Sequence, residues 1–157
     1  MTEGAFSGGC QCGAVRFKAT KLGRPSICHC RMCQKQFGSF FGAFISADLA
    51  HLTWTRGQPT LFRSSAKVKR GFCAKCGTPL TYQHPGGLEL AIGTLDHPEK
   101  FKPEVQVNRH RGLPWIEELF EAPGFTSPEY EAFFNSIESY QHPDHDTDAW
   151  PTKDDDT

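Results

Sequence analysis

Apolar and polar positions alternate in short runs along most of the chain, and Gly or Pro interrupts them repeatedly. Ala14-Val15-Arg16-Phe17-Lys18-Ala19 mixes apolar and polar positions in alternation from Val15 on, the pattern of a half-buried strand. Phe6 to Gly9 leads into it through Cys10-Gln11-Cys12-Gly13, and Lys21 to Ser26 reads as the connecting loop that follows. Gln34 to Gly38 predicts a brief helical turn, and Ser39 to Ile45 another strand. His51 to Trp54 is strand-like and ends at Arg56-Gly57-Gln58-Pro59. Thr60 to Ser64 and Lys67 to Phe72 form a hairpin pattern around Ser65-Ala66. Pro79 to Gln83 and Leu88 to Ile92 form a second around His84-Pro85-Gly86-Gly87. Val105 to Asn108 is a last short strand.

The period changes near the C-terminus. Ser127-Pro128-Glu129 combines a capping residue, proline at the first helical position and an early acid. Tyr130, Phe133, Phe134 and Ile137 then recur at helical spacing, which predicts one amphipathic helix from Pro128 to Tyr140. Beyond Gln141 come six Asp, two His and two Pro with few apolar residues, the composition of a disordered tail. The length of 157 residues fits one domain with a modest core. Fifteen Gly, eleven Pro and thirteen Phe favour short strands over a helical bundle. The expectation is a mainly β fold.

Net charge is −1, so a nucleic-acid polyanion is not the expected partner. No stretch has the length and apolarity of a membrane span, and Met1 to Gly9 lacks the pattern of a secretory signal. A cytoplasmic setting follows, where thiols stay reduced.

The cysteines sharpen the picture. Cys28-His29-Cys30-Arg31-Met32-Cys33 places three thiols within six residues, spaced to converge on one soft metal ion. Three protein ligands on tetrahedral zinc leave a position open, as catalytic zinc sites do. Cys10-x-Cys12 and Cys73-x-x-Cys76-Gly77 supply four more thiols in two turn-prone settings. Together these four can close a structural Zn²⁺ site that contributes to folding. The total of seven is odd, which fits metal binding better than a disulfide framework. A redox role for Cys73 and Cys76 would need a βαβ context that is not visible here. A single zinc with spare thiols is the plainer alternative for the triplet.

Other candidates carry less. His29 lies between two thiols and is a ligand or base only if it turns toward the metal. Arg31, Lys35 and Arg70 can attract an anionic small molecule, though basic side chains commonly just solvate a surface. Phe37, Phe40 and Phe41 can wall a pocket or pack a core. His84 and His110 receive no role, and His142 and His145 read as surface histidines.

Three stretches carry a family resemblance. They are Gly8-Gly9-Cys10-Gln11-Cys12-Gly13-Ala14-Val15-Arg16-Phe17, the triplet from Cys28 to Cys33, and Gly71-Phe72-Cys73-Ala74-Lys75-Cys76-Gly77-Thr78-Pro79-Leu80. Trp54 with Gly57, Gly93-Thr94-Leu95-Asp96 with Pro98, and Leu113-Pro114-Trp115 extend the likeness. The chain resembles the glutathione-dependent formaldehyde-activating enzyme family, which includes centromere protein V. The resemblance implies an Mss4-like, zinc-scaffolded β-sheet domain with two zinc ions. Cys10, Cys12, Cys73 and Cys76 would hold the structural ion, and Cys28, Cys30 and Cys33 the functional one. It also implies condensation of glutathione with formaldehyde to S-hydroxymethylglutathione, a carbon–sulfur lyase activity. A non-catalytic glutathione carrier and a zinc-scaffolded interaction module fit the same residues. The organisation expected is a β domain over 1–125, a helical extension over 126–141 and an acidic tail over 142–157.

Overall fold

The computed structural model describes residues 1–148. In chain order the strands are β1 (Thr2–Gly9), β2 (Arg16–Cys28), β3 (Gly42–Ala47), β4 (Leu52–Arg56), β5 (Thr60–Arg63), β6 (Lys69–Phe72), β7 (Pro79–His84), β8 (Gly87–Ala91) and β9 (Val105–Val107). Two short helices are added, α1 (Arg31–Phe37) and α2 (Pro128–Asn135). The strands join in one sheet of order β1-β2-β3-β8-β7-β6-β5, with β4 and β9 also paired to β2. The mainly β expectation holds.

β2 is the spine. Its first half lies between β1 and β4, with Gly9 opposite Arg16 and Trp54 opposite Phe17. Its second half lies between antiparallel β3 and parallel β9, which places Gly42 and Val107 beside Cys28. Lys21 to Ser26, expected as a loop, is part of the strand. Gly23 and Pro25 sit at an irregularity in the pairing with β3, between Leu22 and Pro25. There the Pro25 carbonyl still accepts from the Glu104 N–H at 3.0 Å. A bulge thus absorbs residues that otherwise look like strand breakers.

Pleating separates two faces. Ile45 and Leu90 are cross-strand partners, both fully buried, and with Phe17, Leu22 and Leu88 they form the core. Phe44, Tyr82 and Glu89 alternate with core residues and so stand on the opposite face. Both predicted hairpins are present, β5–β6 and β7–β8.

The predicted turn after the cysteine triplet is a fuller helix, α1. The Cys30 sulfur caps its start by accepting from the Cys33 N–H. At the far end, Ser127 caps α2 by accepting from the Tyr130 N–H, with Pro128 in its first turn. α2 stops at Asn135 rather than Tyr140, where the Ser136 hydroxyl turns back onto the Phe133 carbonyl at 2.6 Å. Its aromatic side chains stay exposed, Phe133 at 61 %.

The expectation of disorder beyond Gln141 is corrected for residues 142–148. The His142 N–H donates to the Gln11 carbonyl at 2.7 Å, and its side chain is buried. Asp146 pairs with Arg16 at 2.9 Å and Lys18 at 3.0 Å, and the Thr147 carbonyl accepts from Arg56 at 2.6 Å. Cationic groups on β2 and β4 thus hold an acidic segment that composition alone reads as unstructured. The rest of that expectation, 149–157, lies outside the described residues.

Candidate metal centres

Two tight turns bring the first four thiols together. Between β1 and β2, the Gly13 N–H donates to the Cys10 carbonyl at 3.0 Å and the Cys10 N–H to Val15 at 2.9 Å. Between β6 and β7, the Gly77 N–H donates to the Cys73 carbonyl at 2.9 Å. Gly77 has φ +76 with open space around a notional Cβ, so backbone conformation rather than crowding requires glycine there. The sulfurs of Cys10, Cys12, Cys73 and Cys76 all lie within 4.8 Å of one another. Cys10 and Cys12 are 3.6 Å apart, and Cys12 and Cys73 are 3.8 Å apart. A tetrahedral ion with metal–sulfur bonds of about 2.3 Å needs sulfur separations of about 3.8 Å. The four side chains fit such an ion. Burial pushes the Cys10 and Cys12 thiols up. Burial also raises Cys76, but hydrogen bonds from the Thr78 hydroxyl and backbone outweigh it and bring that thiol down to about 6. A dication is what makes several thiolates tenable in so small a volume.

The second cluster is built differently. Cys28 ends β2, Cys30 caps α1, and Cys33 lies in the first turn of α1. Their sulfurs also fall within 4.8 Å of one another, with Cys30 and Cys33 3.2 Å apart. α1 can sit this close because residue 42 is glycine: a Cβ there would lie 3.1 Å from the Cys33 Cβ and 2.7 Å from the Phe44 ring. The neighbouring Cys33 thiol lowers the Cys28 thiol to about 5 against burial, and the Asn108 amide at 3.5 Å acts the same way. The same contact and burial push Cys33 up, and Arg70 opposes them. Asn108 holds a left-handed backbone, φ +54, as it presents its amide to Cys28.

Arg70 is the electrostatic feature of this cluster. It is 2 % exposed, and donates to Ser64 at 3.2 Å, Gln36 at 3.2 Å and the Cys33 sulfur at 3.5 Å. Its guanidinium also lies 4.8 Å from the centre of the Tyr82 ring. Among the described residues no carboxylate pairs with it. Three thiolates around a dication carry net charge of about −1, the counter-charge this buried cation lacks. Arg70→Met is therefore expected to lower metal affinity at the three-cysteine cluster by roughly 10- to 100-fold. Chelator competition would measure it, with the four-cysteine cluster as internal reference.

The two clusters differ in ligand number. Cys10, Cys12 and Cys73 pack with Val15 and Leu80 in a buried patch. Cys28, Cys30 and Cys33 instead line a cavity of about 350 Å³ with Arg70, Tyr82 and Glu89. Cys10 also borders a cavity, of about 290 Å³, but four sulfurs complete a tetrahedron there, whereas three leave a position open.

Other expected candidates fall elsewhere. His29 is buried on the opposite face, where its Nε2 lies 2.9 Å from the Gln106 side-chain oxygen. It borders an apolar cleft of about 660 Å³ whose lining contains no cysteine. Phe37 packs edge-on against Phe44, Phe40 against Trp115, and Phe41 against His29. Arg31 donates to Gln34 at 3.2 Å, while His84 does line the cysteine cavity. Tyr82, Glu89 and Asn108 were not anticipated. Only Glu89 was legible from strand alternation, as the polar residue between the core-facing Leu88 and Leu90.

The model of the glutathione-dependent formaldehyde-activating enzyme family matches residues 5–111, a span that includes all seven cysteines. The chain belongs to this family. A Phaeosphaeria nodorum protein named "Putative glutathione-dependent formaldehyde-activating enzyme" is 26% identical over 155 residues, covering 92% of this chain and 70% of that protein. The crystal structure of a Rhodobacter sphaeroides protein, a structural-genomics target, aligns with TM-score 0.51 and 24% identity. That alignment covers 64% of this chain and 99% of the other, and it speaks to the fold alone. The antiparallel sheet with its two cysteine clusters agrees with the Mss4-like architecture expected for the family.

Proposed function

We propose that this member of the formaldehyde-activating enzyme family is a zinc-dependent carbon–sulfur lyase acting on adducts of glutathione, or a similar thiol, with an aldehyde. The observation that carries this reading is the set of three thiols lining a cavity, one ligand short of the tetrahedron that the other four thiols complete. In the reaction the thiol sulfur bonds to the aldehyde carbon, and the thiol proton ends on the aldehyde oxygen. Bound zinc would supply a Lewis-acidic point that favours the thiolate form of an incoming thiol.

The chain's own residues supply the rest. Cys28, Cys30 and Cys33 hold the functional ion, and Cys10, Cys12, Cys73 and Cys76 the structural one. Arg70 offsets the charge of the open cluster, and Asn108 orients Cys28 by donating to its sulfur. Phe44 and Tyr82 wall the cavity, keep water from the sulfurs and bring the two reactants together. The cavity volume, about 350 Å³, is at the lower end of the range for small-molecule sites. Free thiolates at both centres require a reducing compartment, and we place the protein in the cytoplasm on that ground. Among the described residues no helix is long and apolar enough to cross a membrane.

The test is zinc content per chain, before and after excess glutathione, together with the rate of S-hydroxymethylglutathione formation. That addition also proceeds uncatalysed, so the rate is read as acceleration above background. Two ions are expected, one perturbed by the thiol, and Cys30→Ser should abolish both that response and the acceleration. A single ion indifferent to thiols would sink the proposal. Saturable binding without acceleration would make the protein a thiol carrier.

A further inference from the structure

Glu89 is placed by the pleat of β8. Leu88 and Leu90 on either side of it are buried in the core, so its side chain emerges on the cysteine face. There it lines the cavity shared with Cys28, Cys30 and Cys33. Across the sheet it is paired with Tyr82 on β7, and Tyr82 in turn with Arg70 on β6. Among the described residues no hydrogen bond or ion pair engages the Glu89 carboxylate. Arg70 is committed to Ser64, Gln36 and Cys33. Burial raises the Glu89 pKa, and Cys28 acts in the same direction, while His84 favours the charge. A half-buried carboxylate without a partner is costly, and an incoming cation would relieve that cost.

Distance decides which role this carboxylate can play. Cys28 is opposite Gly42, and Glu89 is opposite Ser46, four residues further along β3 and on its other side. At about 3.3 Å per residue and about 4.8 Å per strand, their Cα atoms are roughly 16 Å apart. Side chains converging on the cavity shorten that gap without closing it. On this spacing Glu89 stands across the cavity from the three sulfurs and not beside them. It is well placed for the far end of an extended ligand whose thiol sits there.

We propose that Glu89 is an ammonium-binding subsite, receiving a protonated amine carried by the thiol ligand at the end remote from its sulfur. The inference rests on the thiol reading above and narrows it to amino-bearing thiols. Glutathione has such a group, the α-ammonium of its γ-glutamyl residue. Glu89 then contributes to ligand choice and affinity, while the bond-making stays at the cysteine cluster.

The test is calorimetric titration of the zinc-loaded full chain with two ligands. One is glutathione; the other is the same tripeptide with its α-amino group replaced by hydrogen. The native protein should bind glutathione about tenfold more tightly than the desamino analogue. Glu89→Gln should erase that preference by weakening glutathione alone, with zinc content unchanged, and Glu89→Asp should restore part of it. Equal affinity of the native protein for both ligands would overturn the proposal, as would a Glu89→Gln loss shared equally by both. Either of those results would leave the thiol reading standing. Absence of binding by both thiols would sink that reading and this inference with it.

Discussion

Cys73→Ser is expected to unfold the domain under conditions where the native chain is folded. Cys73 is 1 % exposed, and its sulfur lies 3.8 Å from that of Cys12, 61 positions away in sequence. The four-thiol cluster ties the β1–β2 turn to the β6–β7 turn, alongside a hydrogen bond from the Gln11 N–H to the Thr78 hydroxyl at 3.1 Å and the packing of Val15 with Leu80. Structural zinc contributes about 10–16 kcal/mol of apparent binding free energy, against a net stability of about 5–15 kcal/mol for a typical domain. Losing one thiolate from a closed site forfeits much of that and leaves buried sulfurs without their cation. Circular dichroism during heating, paired with zinc content, reads the effect. Cys30→Ser is the matched control, since its cluster spans only α1 and the end of β2, and it should stay folded. A Cys73→Ser protein melting within a few degrees of the native one would show that the fold does not depend on this centre.

That asymmetry between the clusters was largely legible in the sequence, because each thiol group is announced by local spacing. Cys10-x-Cys12 and Cys73-x-x-Cys76-Gly77 are short turns, and Gly77 marks the left-handed position that one of them needs. What surrounds the open cluster was less legible. Arg70, Tyr82 and Glu89 come from three strands and meet only through register, which depends on pairing across the whole sheet. Asn108 arrives from a fourth direction, after β9. β2 was misread for the opposite reason: Gly23 and Pro25 are local breakers, but pairing on both sides of the strand overrides them. In α2, local signals located the start well and overran the end, because Ser127 and Pro128 act locally. Nothing of comparable strength marks Asn135.

Asp96→Ala should cost about 3–5 kcal/mol, read by urea unfolding, toward the lower end because a second carboxylate remains. Asp96 makes a two-pronged pair with Arg16 at 2.6 and 2.7 Å and accepts from the Ser7 hydroxyl at 2.5 Å. Both charged side chains are 4 % exposed, so the substitution leaves a buried guanidinium whose one remaining carboxylate among the described residues is Asp146 at 2.9 Å. Burial alone would raise the Asp96 pKa, but Arg16 and Ser7 outweigh it and hold the carboxyl below its ordinary value. The unfolded carboxyl takes up its proton near pH ~3.9, whereas the folded one resists protonation to lower pH. The pair's contribution is therefore complete above the unfolded value and is lost as the pH falls through the folded one. Asp96→Ala should accordingly flatten the acid limb of the stability profile while lowering stability near neutrality. Replacing both partners, Arg16→Met with Asp96→Leu, should recover much of the loss, since it removes the stranded charge. Arg16 opens β2 directly after the turn that carries Cys10 and Cys12. Weakening its anchor should make the four-cysteine centre surrender metal to a chelator faster than the three-cysteine centre does. Equal acceleration at both centres would mean that the ion pair stabilises the sheet as a whole and not this turn.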